Sequence, residues 1–482
     1  MRKKDININT FFNTMKTIFG IIFPLITFPY ISRVLGAENV GKISFSNSIV
    51  SYVSLFASLG ITTYAVRECS KVREDKETLN KLAGQIFSIN LISTAIAYIV
   101  MLVMIECMDI LVDYKTIILI QSITVLFTTL GADWINNVFE DFKFIAIRTI
   151  LVQLVSLLAM FMFVQKETDY VIYAIISMMA LSGANIINIF YREKKCKVRI
   201  TKCLELKKHM PSILLMFSMT LSQTIYVNSD ITLLGLIRGD FEVGLYSTSV
   251  KLYNLVNSVI ASVAWVVMPQ ISAYYLKKDY NNIKKILRYS LNYIVVLGIP
   301  CFAGINAIAP QLIETIAGQD FLEATTSLRI LSVSLMFSLI GGFIGNIIML
   351  PSGREKVCLK SCIISSIINL IANCICIPIW GLNGAAFTTA LSELIGMLFV
   401  SSKVEKEIKI ENIKGIIKAP AVGGIMIIIF SILVKQIVQN VYAVTLITIS
   451  GSVLIYLMTL FVLKNEFFMD ICKSFLNKRG ND

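Results

Sequence analysis

Apolar runs of about 20 residues recur along this chain from near its first residues to near its last. Such a run crosses a hydrocarbon core of ~30 Å as a helix rising about 1.5 Å per residue. The bilayer interior offers no water to backbone groups, so each run must satisfy its own N–H and C=O groups as a helix. Alternating strands of about ten residues, the mark of a membrane barrel, are absent. The expected fold is all-α and integral to the membrane, with about 14 transmembrane helices. They fall near residues 10–35, 43–66, 82–107, 115–139, 144–165, 170–191, 209–237, 243–275, 285–308, 321–350, 356–378, 381–402, 415–438 and 441–463. The eighth and tenth are long enough to tilt, bend or project.

Charge tests this division. A formal net charge of +13 would suggest a nucleic-acid partner in a soluble chain. Here the cations sit in short loops, where orientation and phospholipid contact account for them, and no nucleic-acid partner is expected. Of the 44 Lys and Arg, 35 fall in the loops, termini or span ends of one side, 6 in those of the other, and 3 (Lys16, Lys251 and Arg329) deeper within spans. The bias predicts that both termini are cytoplasmic. The basic stretch Met1–Asn9 leads into a run too long for a signal-peptide core, and containing Lys16, Pro24 and Pro29, so a retained first helix is expected. The outer loops are all short. They leave no extramembrane domain for catalysis, which argues against a membrane glycosyltransferase or polymerase, and no enzyme is expected.

The ten cysteines read as free thiols, several within apolar runs; Cys358 and Cys362 share a helix face but have no His or acidic partner in sequence. With His209 the only histidine, no metal site and no histidine proton relay are expected. No cofactor is expected beyond a coupling H+ or Na+.

The largest inner loop, 192–208, divides the chain near its middle and prompts a search for internal symmetry. The stretch from Gly36 through Val40, Gly41 and Ser44 to Ser46 repeats from Gly239 through Val243, Gly244 and Ser247 to Ser249. The shared pattern is G-x-x-x-V-G-x-x-S-x-S, at an offset of 203 residues. Each copy is the outer turn between the first two helices of a six-span half. The halves should be parallel repeats about an axis along the membrane normal. The expected organisation is a bundle over 1–191, a cytoplasmic linker at 192–208, a second bundle over 209–403, and the last two helices with a tail over 404–482.

The same offset aligns polar faces. Ser44, Ser48 and Ser51 share one face of span two, at spacings i, i+4 and i+7. They correspond to Ser247, Lys251 and Asn254 of span eight. Lys16, Gly20, Phe23 and Thr27 of span one correspond to Met219, Gln223, Tyr226 and Asp230 of span seven. Polar groups at membrane depth are costly against lipid, so these faces should meet each other or water, enclosing a central cavity. Lys251 lies about 8 residues into its span, where insertion costs ~2.5–3.5 kcal/mol. It reads as a cationic ligand for an anionic substrate, or as half of an ion pair with Asp230. Lys16 can snorkel toward the interface, and Arg329 can reach a lipid phosphate at the outer one. Asp230 and Glu393 are candidates for coupling an ion. Asp133, beside Trp134, reads as interfacial. Pro24 and Pro29 weaken span one, as a gate or as a fixed kink. Gly341, Gly342 and Gly345 allow close packing or a hinge in span ten.

Four stretches carry a family resemblance: Phe28-Pro-Tyr-Ile-Ser-Arg-Val-Leu-Gly36; Gly131-Ala-Asp-Trp134 followed by Glu140-Asp-Phe-Lys143; Leu350-Pro-Ser-Gly-Arg-Glu-Lys356; and Pro378-Ile-Trp-Gly-Leu-Asn-Gly-Ala-Ala386. In this order, over essentially the whole chain, they resemble the polysaccharide transporter family, the Wzx-type flippases of the MATE-like superfamily. The resemblance implies translocation of undecaprenyl-pyrophosphate-linked oligosaccharide units across the bacterial plasma membrane for O-antigen, capsule or exopolysaccharide. It also implies a fold like that of lipid II flippases, with a central cationic cavity lined by helices one, two, seven and eight. Membrane lipids, a polysaccharide polymerase and chain-length machinery would be partners. Substrate contacts would fall to Lys251, Asn254, Ser247, Lys16, Arg329, Ser48, Ser51, Gln223 and Tyr226. This chain has fewer embedded cations than the most basic members, and Met219 stands where the repeat matches Lys16. A drug or metabolite exporter of the same fold is the alternative; it would need an aromatic or acidic pocket for organic cations.

Overall fold

The computed structural model describes residues 3–405 and 413–479. Arg2, Lys406 and Lys409, counted above among the basic residues, lie outside them. Regular structure among the described residues is helical throughout. The order is α1 (Lys3–Ser58), α2 (Ile61–Lys71), α3 (Lys76–Cys107), α4 (Asp109–Val112), α5 (Lys115–Gly131), α6 (Trp134–Val138), α7 (Phe142–Phe163) and α8 (Tyr170–Tyr191). It continues with α9 (Leu206–Arg238), α10 (Asp240–Ala261), α11 (Val263–Leu276), α12 (Tyr280–Ile316), α13 (Thr325–Gly342), α14 (Glu355–Ser401), α15 (Ile413–Ile437), α16 (Val441–Val462) and α17 (Glu466–Arg479).

Eleven helical stretches are long and apolar enough to cross a membrane, against the fourteen expected. The difference arises at three places. In α14, Gly381 adopts φ 54°, ψ −133°, a conformation open to glycine but costly for other residues. The two halves of α14 then run antiparallel: Ser361 donates to Gly396 O (3.1 Å), Ser365 donates to Ser392 O (3.0 Å), and Thr388 donates to Asn373 Oδ1. One helix by hydrogen bonding is thus a hairpin of two spans. In α1, Gly36 breaks the helix where the first two expected spans meet. The fourth expected span is the 17-residue α5, which ends at Ala132 in a left-handed conformation, with the short α6 following.

The chain divides into two compact units, Met1–Gly244 and Leu245–Asp482. In the first, the expected linker is not a free loop. Cys196 and Val198 are buried in one apolar cluster with Tyr64 and Cys69 of α2, Leu79 and Ile86 of α3, Trp134 of α6 and Ile213 of α9. The Lys197 N–H donates to Asn80 Oδ1 (2.9 Å) and the Thr201 N–H to the Ser88 hydroxyl (2.9 Å), strapping the segment along α3. Burial in this apolar cluster pushes the Cys196 thiol up to about 11. His209 is fully buried, Nδ1 2.7 Å from the Tyr64 hydroxyl and Nε2 3.1 Å from Gln85 Oε1.

Nearby, Asp133 pairs with Arg148, whose side chain is 4% exposed and also donates to Ala184 O (3.0 Å). Asp133 is therefore part of an interhelical ion pair rather than a purely interfacial group. Asn136 completes the link, donating to Asp133 Oδ1 (3.0 Å) and to Asn188 Oδ1 (2.6 Å). Asp141 pairs with Lys195 and accepts from the Tyr191 hydroxyl (2.8 Å).

In the second unit, the α15–α16 hairpin packs on α12. Tyr456 donates to Val296 O (2.7 Å), and its ring fills the space over Gly423. Helix α17 is held to α12 by the Arg288–Glu466 pair (2.6 Å) and by Tyr289 against Phe467, rings 4.9 Å apart. All ten cysteines are free.

Candidate functional site

The two copies of the sequence repeat share a backbone conformation. Gly36 lies at φ 71°, ψ 173° and Gly239 at φ 87°, ψ −175°. Both combine positive φ with an extended ψ, a region essentially reserved for glycine. Each breaks the chain ahead of the helix that carries a polar face, α1 beyond Gly36 and α10. The second glycine of each copy is in close approach to the other copy. A Cβ on Gly41 would overlap the Asp240 carbonyl oxygen and lie 2.6 Å from its carbon; a Cβ on Gly244 would overlap the Ala37 oxygen and lie 2.7 Å from its carbon. Ala37 and Asp240 are themselves related by the 203-residue offset. The contact is reciprocal between the two stretches.

Beside this contact the Tyr114 hydroxyl donates to Asp240 Oδ1 (2.7 Å), and Phe45, fully buried, packs on Tyr114 and against Gly235. A cavity of about 390 Å³ opens here, bordered by Glu38, Lys42, Asp113, Tyr114, Tyr170 and Asp240. The Lys42–Glu38 pair (3.0 Å) lies along it.

Deeper in the first unit, α1 and α9 meet through their polar faces. Ser48 is buried; it donates to Phe45 O (2.7 Å) and accepts from the Thr232 hydroxyl (2.9 Å). The Thr232 oxygen also lies 3.4 Å from the Tyr52 hydroxyl and 2.9 Å from Asn228 O. Ser48 therefore acts in joining two helices. Ser51 is half-buried and donates to Asn47 O (2.8 Å). On α9, Gln223 is exposed, Tyr226 half-buried and Asp230 buried. Lys16 is half-buried, and Met219, its counterpart, is exposed. Sequence reasoning missed Thr232 and Tyr52: the offset pairs Thr232 with Pro29, so a search by symmetry passes over it.

In the second unit, α10 is bolted to its neighbours along one face. Tyr246 OH lies 3.1 Å from the Thr389 hydroxyl of α14; Ser249 donates to Ala324 O (3.1 Å) and shares a hydrogen bond with Ser327 of α13 (2.8 Å). At about 100° per residue, the Ser247–Lys251–Asn254 stripe lies roughly a third of a turn away from that face. Ser247, at its start, is buried; Lys251 is half-buried and Asn254 exposed. Glu393 of α14 is half-buried. Arg329 is exposed on α13 near Lys435 of α15, whose ammonium donates to Ala307 O (2.5 Å).

Residues 7–275 match the family described as Polysaccharide biosynthesis protein. The chain is 22% identical over 394 residues to a Shigella dysenteriae protein that its name assigns, provisionally, to O-antigen transport; the match covers 80% of this chain and 96% of that one. Among solved structures, it resembles the lipid II flippase MurJ in an inward closed conformation. The TM-score is 0.75 at 18% identity, covering 95% of this chain and 99% of the other. An inward-facing multidrug-resistance MATE transporter has a TM-score of 0.59 at 16% identity, covering 78% and 91%. These likenesses establish a shared fold.

Proposed function

Because the chain belongs to the polysaccharide biosynthesis protein family, we propose that it is a flippase for polyprenyl-pyrophosphate-linked oligosaccharides. It moves the headgroup between leaflets of the bacterial plasma membrane for O-antigen, capsule or exopolysaccharide assembly. The observation that carries this reading is Lys251, a half-buried cation on an apolar helix, sharing its face of α10 with the exposed Asn254. A lipid pyrophosphate is anionic and its sugars present hydroxyls. An ammonium flanked by hydroxyl and amide groups meets both, since charge-assisted bonds hold phosphate oxygens and neutral polar groups exchange bonds with sugars. Gln223, Tyr226, Ser51 and Lys16 are further residues proposed to contact the substrate. Asp230 and Glu393 are the groups proposed to couple H+ or Na+.

The proposed mechanism is alternating access, with both termini cytoplasmic as the distribution of Lys and Arg supports. Flipped units would pass to a polymerase and its chain-length machinery. The test is leaflet-resolved measurement of lipid-linked glycan in a deletion strain. Unpolymerised units should accumulate on the cytoplasmic leaflet, and a normal distribution would refute flipping. Uptake of a fluorescent organic cation by vesicles carrying the protein would instead assign drug export.

A further inference from the structure

The α15–α16 hairpin has no part in the translocation path proposed above, yet a pocket lies at its basic end. It has a volume of about 180 Å³ and is bordered by Lys418 near the start of α15, by Lys464, Asn465 and Glu466 between α16 and α17, and by Asn292 of α12. We propose that this pocket binds the phosphate headgroup of a membrane lipid that carries a net negative charge.

Three observations converge on that chemistry. Both lysines are exposed and their side chains make no hydrogen bond or ion pair to another described residue, so two ammonium groups border one small volume. The one carboxylate present, that of Glu466, is engaged by Arg288 at 2.6 Å, which offsets its repulsion of an anion. Asn465 is 5% exposed; its Oδ1 accepts the Phe468 N–H (3.1 Å), while its amide nitrogen has no acceptor among the described residues. An amide N–H with no acceptor in the protein can donate to a ligand oxygen at the pocket. Asn292 is buried as well, its amide donating to Arg288 O (3.0 Å).

The surroundings favour a lipid over a free ion. Ile417, Phe461, Val462 and Leu463 beside the pocket expose apolar surface, where acyl or isoprenoid chains would lie. Basic pockets between transmembrane helices at the cytoplasmic interface are suited to such headgroups.

The experiment is native mass spectrometry of the full chain, released from micelles containing phosphatidylglycerol, phosphatidylcholine or undecaprenyl phosphate. Retention of phosphatidylglycerol or undecaprenyl phosphate should exceed that of phosphatidylcholine by about tenfold. Whichever of the two is held more tightly identifies the source of the phosphate ester. The double variant Lys418→Gln/Lys464→Gln should abolish the preference. Asn465→Asp should do the same, since it keeps the oxygen that caps α17 but removes the donor and adds a negative charge. Lys473→Gln, on α17 and not among the residues lining the pocket, should leave the preference intact. The proposal is overturned if Lys473→Gln lowers retention as much as the double variant does, if no lipid is preferred, or if inorganic phosphate displaces the lipid at equal concentration. Lipid retention is read without transport, so a failure here leaves the flippase reading standing, and the reverse holds.

Discussion

The carbonyl oxygen of Asp240 occupies the place that a Cβ on Gly41 would need. Adding one methyl group forces the two helix starts apart or shifts the backbone, and overpacking of this kind costs about 1–3 kcal/mol. Gly41→Ala, and equally Gly244→Ala, should lower glycan flux while the protein still inserts. Gly20→Ala is the control, because nothing lies within 4 Å of a Cβ there. Flux can be followed by restoration of surface polysaccharide in a deletion strain. Full restoration by Gly41→Ala would show that the close seating is dispensable.

Lys251 should be needed for transport and not for folding. Hydrogen bonds to a charged group contribute about 1.5–3 kcal/mol, so Lys251→Ala should reduce flux by about ten- to a hundredfold. Lys251→Arg should retain more activity than Lys251→Ala. Membrane abundance by immunoblot and thermal unfolding in detergent should stay near wild type. Equal flux in the alanine variant would remove Lys251 from the path.

The Asp133–Arg148 pair should matter for assembly. Arg148 is nearly fully buried, and leaving it without its carboxylate costs about 3–5 kcal/mol. Asp133→Asn alone should sharply lower the amount of folded protein, and Asp133→Asn with Arg148→Met should recover part of it. Fluorescence-detected size-exclusion profiles measure both. A single variant as abundant as wild type would contradict the assignment.

Asp141 gives a dependence on pH. Burial pushes its carboxyl up, but hydrogen bonds from Lys195 and Tyr191 outweigh this and hold it below the usual carboxylate range. The native state therefore binds the proton less readily than the unfolded chain does. Its stabilising contribution is complete above the unfolded value of about 3.9 and fades as pH falls through the lower native value. Asp141→Asn should unfold at a lower temperature than wild type at pH 6, and the gap should close below about pH 4. A gap that persists or widens in acid would reverse the sign.

The sequence revealed what repeats along the chain and little of what crosses between distant segments. Apolar length located the helices, and the 203-residue offset paired two glycines, Gly36 and Gly239, that share a backbone conformation. Polar periodicity identified the α10 stripe, because three residues on one helix face are a local property. Ser48 was legible as polar but not as the partner of Thr232, 184 residues away. Arg148 reads in sequence as one more cation at the basic end of the fifth span; its burial depends on Asp133 across a turn set by Ala132 at φ 46°, which no periodicity encodes. The segment 192–208 reads as a basic linker by composition, yet Asn80 and Ser88 of α3 hold it in place. Contacts of this kind join residues whose spacing carries no signal.

The mutual fit of the two glycine turns bears on how such a chain can change over generations. Each turn is at once the peg for its copy and the socket that receives it, so a duplicated segment comes with a ready-made mate. Neither copy can then drift alone. A bulkier residue in one turn would have to be answered by a retreat of backbone in the other, which ties together two stretches of the gene some six hundred bases apart.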